Sequence, residues 1–383
     1  MNNEPVPPLL TVTGGTLVIA DRTPRTPRPR GPYGRLFTAP GSLAFTLTGA
    51  LGRLPVSMLG VATVVMVATL RGSYALAGAV SAAGLISTAV SLPFVGLLVD
   101  RHGQAKVAVP AAAASTAGAV ALLLCAHYGA PDWTLFAGCA LSSVRPSLGA
   151  MTRARWAELY RDDPAARHVA NSVEQVIDEL CFMAGPVLAI VLCTALFPEA
   201  GLLVSTVLFA AGTFLFAAQR RTEPPPARLT PSTPARWPVP GPAARESPAR
   251  RRKPGMAGVL AEFCCTGAVF GSMEVVTVAE VQRLGHSSTA GLILALQAGG
   301  SCVAGLVYGT LRPSGPARRR YVLCTAAMAA LLVPLTMAHG LGALAALLFV
   351  VGLATAPTMV TGMTVVQELV PDDRLNEGMT TVY

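Results

Sequence analysis

Charge is scarce in this 383-residue chain, where Asp, Glu, Lys and Arg together make up 13%. A soluble domain is typically about 25% charged, so a water-facing globule is excluded. The usual marks of soluble catalysis are also missing. The chain has no G-x-x-x-x-G-K-[ST] phosphate loop, no H-E-x-x-H helix and no G-x-S-x-G elbow, so it lacks the signatures of direct ATP drive, zinc proteolysis and serine hydrolysis. The eight cysteines (Cys125, Cys139, Cys181, Cys193, Cys264, Cys265, Cys302, Cys324) form no C-x-x-C pair and fall inside apolar runs. They read as small packing residues rather than metal ligands. The five histidines (His102, His127, His168, His286, His339) lie in or beside polar links, which argues against a buried imidazole relay. No enzyme activity, cofactor or metal is expected.

What the chain does contain is apolar length. Hydrophobic residues make up 52%, in runs of the roughly 20 residues that cross a hydrocarbon core of about 30 Å. Hydropathy and breaker residues predict ten helical spans, at 40–66, 74–99, 107–127, 132–151, 168–194, 199–218, 257–281, 286–311, 320–338 and 341–366. The fold class is all-α, a polytopic membrane helix bundle. Alternate links share one side of the membrane, and that side carries 25 of the 29 bases. The positive-inside rule then places the N-terminus and the long central loop in the cytoplasm of a multi-pass plasma-membrane protein. The net charge of +9 is thus a topology signal, and nucleic acid is not expected as a partner.

Four regions are expected. Residues 1–31, with an apolar stretch too short to cross and a Pro/Arg string after it, read as a disordered extension. Residues 32–218 form a six-helix half. Residues 219–256, "RRTEPPPARLTPSTPARWPVPGPAARESPARRRK" at their centre, are a Pro/Arg-rich cytoplasmic linker with almost nothing to bury. Residues 257–383 form a second, incomplete half.

The link between the second and third spans reads GLLVDRHGQAK (96–106), an acid, two bases and two glycines in a charge-poor chain. Its spacing resembles the G-x-x-x-D-R-x-G-(R/Q)-x-(K/R) motif of the major facilitator superfamily, with Gly96, Asp100, Arg101, Gly103 and Lys106 at the motif positions. Six spans, a long basic loop and further spans also resemble that family's plan. A degenerate second copy is found at Gly305, Gly309 and Arg312, without the acid. Arg145 and Gly149 match the family's R-x-x-x-G in the fourth span. Gly185 and Pro186 match part of the antiporter motif in the fifth, where Cys181, Ala189 and Ile190 replace expected glycines. The resemblance implies twelve helices, of which ten and the start of an eleventh are present here. It also implies a monomeric secondary transporter in the lipid bilayer, moving a small molecule by alternating access with protons as the coupling ion.

Ionisable residues within spans are costly, so each is a functional candidate. Counting about 1.5 Å per residue from the cytoplasmic ends puts Arg53 about 19 Å deep and Asp178 and Glu179 about 15 to 17 Å deep. On the same count Arg145 and Glu174 lie about 9 Å deep. The expected pairs are Arg53 with Asp178 or Glu179, and Arg145 with Glu174. One carboxylate is left over, and a carboxyl out of water without a counter-charge is well suited to exchange a proton. Arg53, Arg145, Glu174, Asp178 and Glu179 are therefore the candidate proton-coupling network, with a static cluster that holds helices together as the competing reading. Gly96, Asp100, Arg101, Gly103 and Lys106 are the candidate conformational gate, or else a simple surface anchor. In the seventh span Glu274 follows a Gly267/Gly271 step and is the candidate substrate contact, or else meets a polar neighbour. Glu262 and Glu280, nearer the span ends, are expected to reach water.

The reading is a proton-coupled exporter of a small organic molecule. Alternatives are an importer of a small solute, or a membrane remnant or sensor that does not transport.

Overall fold

The computed structural model describes residues 31–226, 255–284, 289–311 and 314–382. The predicted extension, most of the linker, Arg312 and His286 lie outside the described residues. Thirteen α-helices follow one another among the described residues. In the amino-terminal half these are α1 (Pro32–Leu36), α2 (Ser42–Arg71), α3 (Tyr74–His102), α4 (Gln104–His127), α5 (Asp132–Ser142), α6 (Leu148–Leu159), α7 (Pro164–Ala195) and α8 (Ala200–Ala218). The carboxy-terminal half has α9 (Met256–Arg283), α10 (Ala290–Thr310), α11 (Ala317–Leu335), α12 (Leu341–Leu369) and α13 (Leu375–Val382).

Eight of these helices are long and apolar enough to cross a bilayer. Two of the ten predicted spans depart from that pattern. The span at 132–151 is not continuous, because α5 stops at Ser142 and α6 starts at Leu148. Pro146 has no N–H and disfavours helical backbone at Arg145 before it, and the Arg145 amide bonds back to the Ser143 carbonyl at 3.0 Å. Ser147 then caps α6 by accepting from the Ala150 amide at 3.3 Å. The ninth span forms as α11, but the run Arg318–Arg320 at its start makes it less apolar than those eight.

The apolar core divides in the same way as the helices. Two clusters lie wholly in the amino-terminal half, one around Met58, Leu122, Leu135 and Leu202, the other around Phe45, Trp156 and Phe216. A third around Met273, Val281 and Leu348 belongs to the carboxy-terminal half. The fourth crosses between them, joining Ala150 and Ala154 of α6 to Tyr321, Met363, Val366 and Met379. Most large apolar side chains left outside these clusters, such as Leu85, Ile86, Phe94, Phe182 and Val207, are exposed. In a helix bundle of this hydropathy that is the lipid-facing surface.

The face of the bundle that carries the α3–α4 link, the α6–α7 link and the start of α11 is its basic face. Two arginines counted on that face by sequence are in fact inside the bundle, since Arg153 and Arg155 are each 1% exposed. Arg155 serves the end of α8. It donates to the carbonyls of Phe216 and Gln219 at 3.1 Å each and to Thr222 Oγ1 at 2.8 Å. These are the last carbonyls of a helix, which lack partners within it.

Candidate functional site

Three polar constellations run from the basic face to mid-depth, and α7 or α3 positions each. The deepest is a four-membered ion cluster. Arg53, about three turns from the start of α2, places Nη1 at 2.8 Å from Asp178 Oδ1 and Nη2 at 2.7 Å from Glu174 Oε2. Arg153 of α6 holds the other Asp178 oxygen at 2.7 Å. Glu174 is fully buried and also accepts from Trp156 Nε1 at 2.8 Å. Glu174 and Asp178 share a face because they are four apart on a helix. Two cations thus meet two anions, which is the arrangement in which buried charge is tolerated.

The expected partnering is half right. Arg53 takes Asp178, but it also takes Glu174, and Arg145 has no carboxylate within salt-bridge distance among the described residues. The helix break at 143–147 removes Arg145 from the register that a continuous span would give it. Arg153, two turns further along, stands in its place. Gly149 leaves room for both guanidiniums, since a Cβ there would lie 3.2 Å from Arg153 Nη1 and 3.5 Å from Arg53 Cδ.

Glu179 is the carboxylate left over. It has no cation partner among the described residues and accepts instead from Gln175 Nε2 at 3.0 Å and Ser301 Oγ at 2.8 Å. Gln175 is on its own helix, whereas Ser301 is on α10 in the other half. Around this contact α7 and α10 pack closely. A Cβ on Gly305 would lie 2.8 Å from Val176 Cγ2, and one on Gly309 2.8 Å from Ser172 Cβ, so the second motif copy serves as a packing surface.

At the basic face, Asp100 accepts from the Asn376 amide at 3.0 Å, from Asn376 Nδ2 at 2.7 Å and from the Glu377 amide at 2.8 Å. One carboxylate thereby caps the first turn of α13, where amides have no helical partner and the helix dipole favours an anion. Gly96, one turn earlier on α3, allows the approach: a Cβ there would collide with Thr380 Oγ1 and come within 3.0 Å of the Asn376 carbonyl. Gly103 turns the chain into α4 with φ +96, a left-handed region that other residues rarely adopt. Arg101 and Lys106 are exposed and hold no described ion pair. A partner that sequence did not suggest is Glu223, beyond the end of α8, whose Oε1 accepts from the Ala105 amide at 2.9 Å and caps α4.

Further bonds join the halves near the same face. His168 Nε2 donates to the Tyr308 carbonyl at 2.8 Å, Asn171 and Gln367 exchange amide bonds at 3.1 and 3.3 Å, and Tyr33 donates to the Leu306 carbonyl. His168 lies beside the α6–α7 link as the sequence suggests, but at 5% exposure its imidazole is buried, which the sequence argued against. Helix α7 starts four residues earlier than predicted, with Asp163 capping the Ala166 amide at 3.0 Å. Each inter-half hydrogen bond described lies between the basic face and the depth of Glu179. The geometry is that of two halves closed on one face.

The comparisons with known proteins follow this architecture. The model of the Major Facilitator Superfamily matches residues 17–383. The chain belongs to that superfamily. A comparison with curated proteins finds no match. Among solved structures, the human organic anion transporter MFSD10 (TETRAN) is similar at TM-score 0.61 and 15% identity, over 89% of this chain and 88% of that one. A bacterial homologue of the iron transporter ferroportin in an outward-facing state is similar at TM-score 0.60 and 16% identity, over 89% and 87%. At such identities the likeness is one of fold. As a major facilitator the protein is a multi-pass membrane transporter, and the expected all-α bundle is the one observed.

The seventh-span candidates lie apart from the contacts between the halves. Glu274 on α9 is exposed, and Gly267 and Gly271 before it face no atom within 4 Å, so that GxxxG step brings no described helix close. Glu262 is half-buried and held by hydroxyls. It accepts from Tyr321 OH, from Thr266 Oγ1 at 2.9 Å and from Thr325 Oγ1 at 3.4 Å. Glu280 pairs with Arg283 on the same helix at 2.6 Å.

Proposed function

We propose that the protein is a proton-coupled exporter of a small organic molecule, working as a monomer in the plasma membrane with its basic face in the cytoplasm. The observation that carries the proposal is Glu179. It is the one carboxylate of the α7 trio without a guanidinium among the described residues, and it sits at mid-depth on the contact between the halves.

Protonating Glu174 or Asp178 would break an ion pair, whereas protonating Glu179 breaks none. A hydrogen bond to a charged acceptor is worth about 1.5–3 kcal/mol against about 0.5–1.5 for a neutral one. Taking up a proton at Glu179 therefore weakens its hold on Ser301 and loosens the seam at that depth. Losing the proton restores the contact. This links a proton to the rocking of one half against the other. The Asp100 clasp on α13 is the gate, made when the basic face is closed and released when it opens. The Arg53–Glu174–Asp178–Arg153 cluster is the frame that keeps α2, α6 and α7 in register, a narrower role than sequence suggested. Glu274, acidic and exposed on α9, is the contact for a cationic or hydroxylated solute. Export is supported by Arg145 with Gly149 and by Gly185 with Pro186.

The test is the purified chain in liposomes loaded with the pH dye pyranine and challenged with a panel of organic cations, anions and neutral polar solutes. The wild type should move protons in response to at least one of them. E179Q should still exchange that solute down its gradient but without the proton signal. If no solute moves protons in the wild type, proton coupling is wrong. An undiminished signal in E179Q removes Glu179 from the role.

A further inference from the structure

A cavity of about 970 Å³ opens on the basic face, away from Glu179 and from the Asp100 clasp. Its walls come from both halves: α1 and the start of α7 on one side, the end of α10, the start of α11 and the end of α12 on the other. Arg35, Arg167, Arg318 and Arg320 line it, against two carboxylates, Asp163 and Glu368. Asp163 is engaged in capping α7. None of the four arginines has a carboxylate within salt-bridge distance among the described residues.

Two further observations give this surplus of positive charge a direction. Arg320 Nε and Nη1 and Arg167 Nε are shielded from solvent and have no hydrogen-bond acceptor among the described residues. A shielded donor without an acceptor is costly, and more so on a cation. The positive ends of two helices, α7 and α11, also border the cavity, and α11 has no side-chain cap. Guanidinium donors and helix starts together are what a phosphate group requires. The rest of the wall, including Pro32, Leu36, Val169 and Leu311, is apolar and suits a hydrocarbon attached to that phosphate.

We propose that this cavity is a binding site for a phosphate-bearing anion, held at the seam by arginines of both halves. The same chemistry is offered by an acidic phospholipid headgroup and by a free phosphate ester. The full chain, purified in a neutral detergent, is titrated in parallel with short-chain phosphatidylglycerol, short-chain phosphatidylcholine and glycerol phosphate. Binding is read by native mass spectrometry and by the shift in thermal unfolding. Phosphatidylglycerol should bind and stabilise at concentrations where phosphatidylcholine does not. Binding of glycerol phosphate as well assigns the site to a free ester, and failure of glycerol phosphate assigns it to the lipid.

R320Q and R167Q should each weaken anion binding roughly tenfold, the usual worth of one charge-assisted bond. R318Q, on an exposed side chain, serves if either variant unfolds. R319Q is the control, because Arg319 lies on the same turn but outside the cavity wall. Equal binding of phosphatidylglycerol and phosphatidylcholine overturns the proposal, as does undiminished anion binding by the cavity variants.

Discussion

The two halves handle polar residues inside the bundle by different means. The amino-terminal half buries its deepest charges as an ion cluster, with Arg53 and Arg153 set against Glu174 and Asp178. In the carboxy-terminal half, among the described residues, Glu262 is held by hydroxyls of Tyr321, Thr266 and Thr325, and Ser301 offers a hydroxyl to the seam. An ion cluster is geometrically demanding and fixes the helices that contribute to it. Hydroxyl contacts are weaker and exchange partners readily. The first half is thereby the rigid frame, and the seam between them is the place where a contact can be made and broken.

The sharpest way to break this comparison is to remove the cation at the centre of the frame. Taking one partner from a buried ion pair costs about 3–5 kcal/mol, and Arg53 serves two carboxylates. R53Q should lose folded protein on size exclusion and unfold at markedly lower temperature. If R53Q unfolds as the wild type does, the cluster is not a frame. By contrast Y321F, which takes one hydroxyl from Glu262 and leaves two, should cost about 1.5–3 kcal/mol. Equal losses in the two variants would erase the distinction between the halves.

The clasp between the halves comes next in size. Asp100→Asn keeps the side-chain shape but gives up the charge and one acceptor, so the closed-to-open ratio should fall by roughly tenfold. Spin labels at His102→Cys and Asp373→Cys, both exposed on the basic face, would report it as a longer-distance population in pulsed electron resonance. An unchanged distance distribution reduces the motif to a surface anchor.

How much of this was readable from the sequence depends on how far each contact reaches along the chain. The motif spacing placed Asp100 in the link at the end of a helix, and the helical rise put Arg53 near the depth of Asp178. Both inferences use only local geometry. The partner of Glu174 was misassigned because a depth count presumes an unbroken helix, and Pro146 ends it. "VRPSLGAMTRARW" does hold the correction. The Arg-Pro step marks the break, and Arg153 follows Gly149 by one turn on a fresh helix. Ser301 and Glu223 had no such signal. Their partners lie 122 and 118 residues away, and a lone Ser or Glu says nothing about which helix it will meet.

The smallest expected change in stability belongs to the residue with the largest expected effect on cargo. Glu274 is exposed on a turn of α9 whose two preceding glycines face open space, and a substitution away from packing and pairing usually stays within about 0.5 kcal/mol. E274Q should therefore unfold with the wild type. If it contacts a cationic solute, it should lose uptake of that solute into liposomes while neutral solutes are moved as before. The pairing of an unchanged unfolding temperature with a changed solute preference is what separates a binding residue from the frame, where R53Q loses both together. Should E274Q transport the whole panel like the wild type, α9 carries no charge recognition, and cargo selection falls to the seam itself.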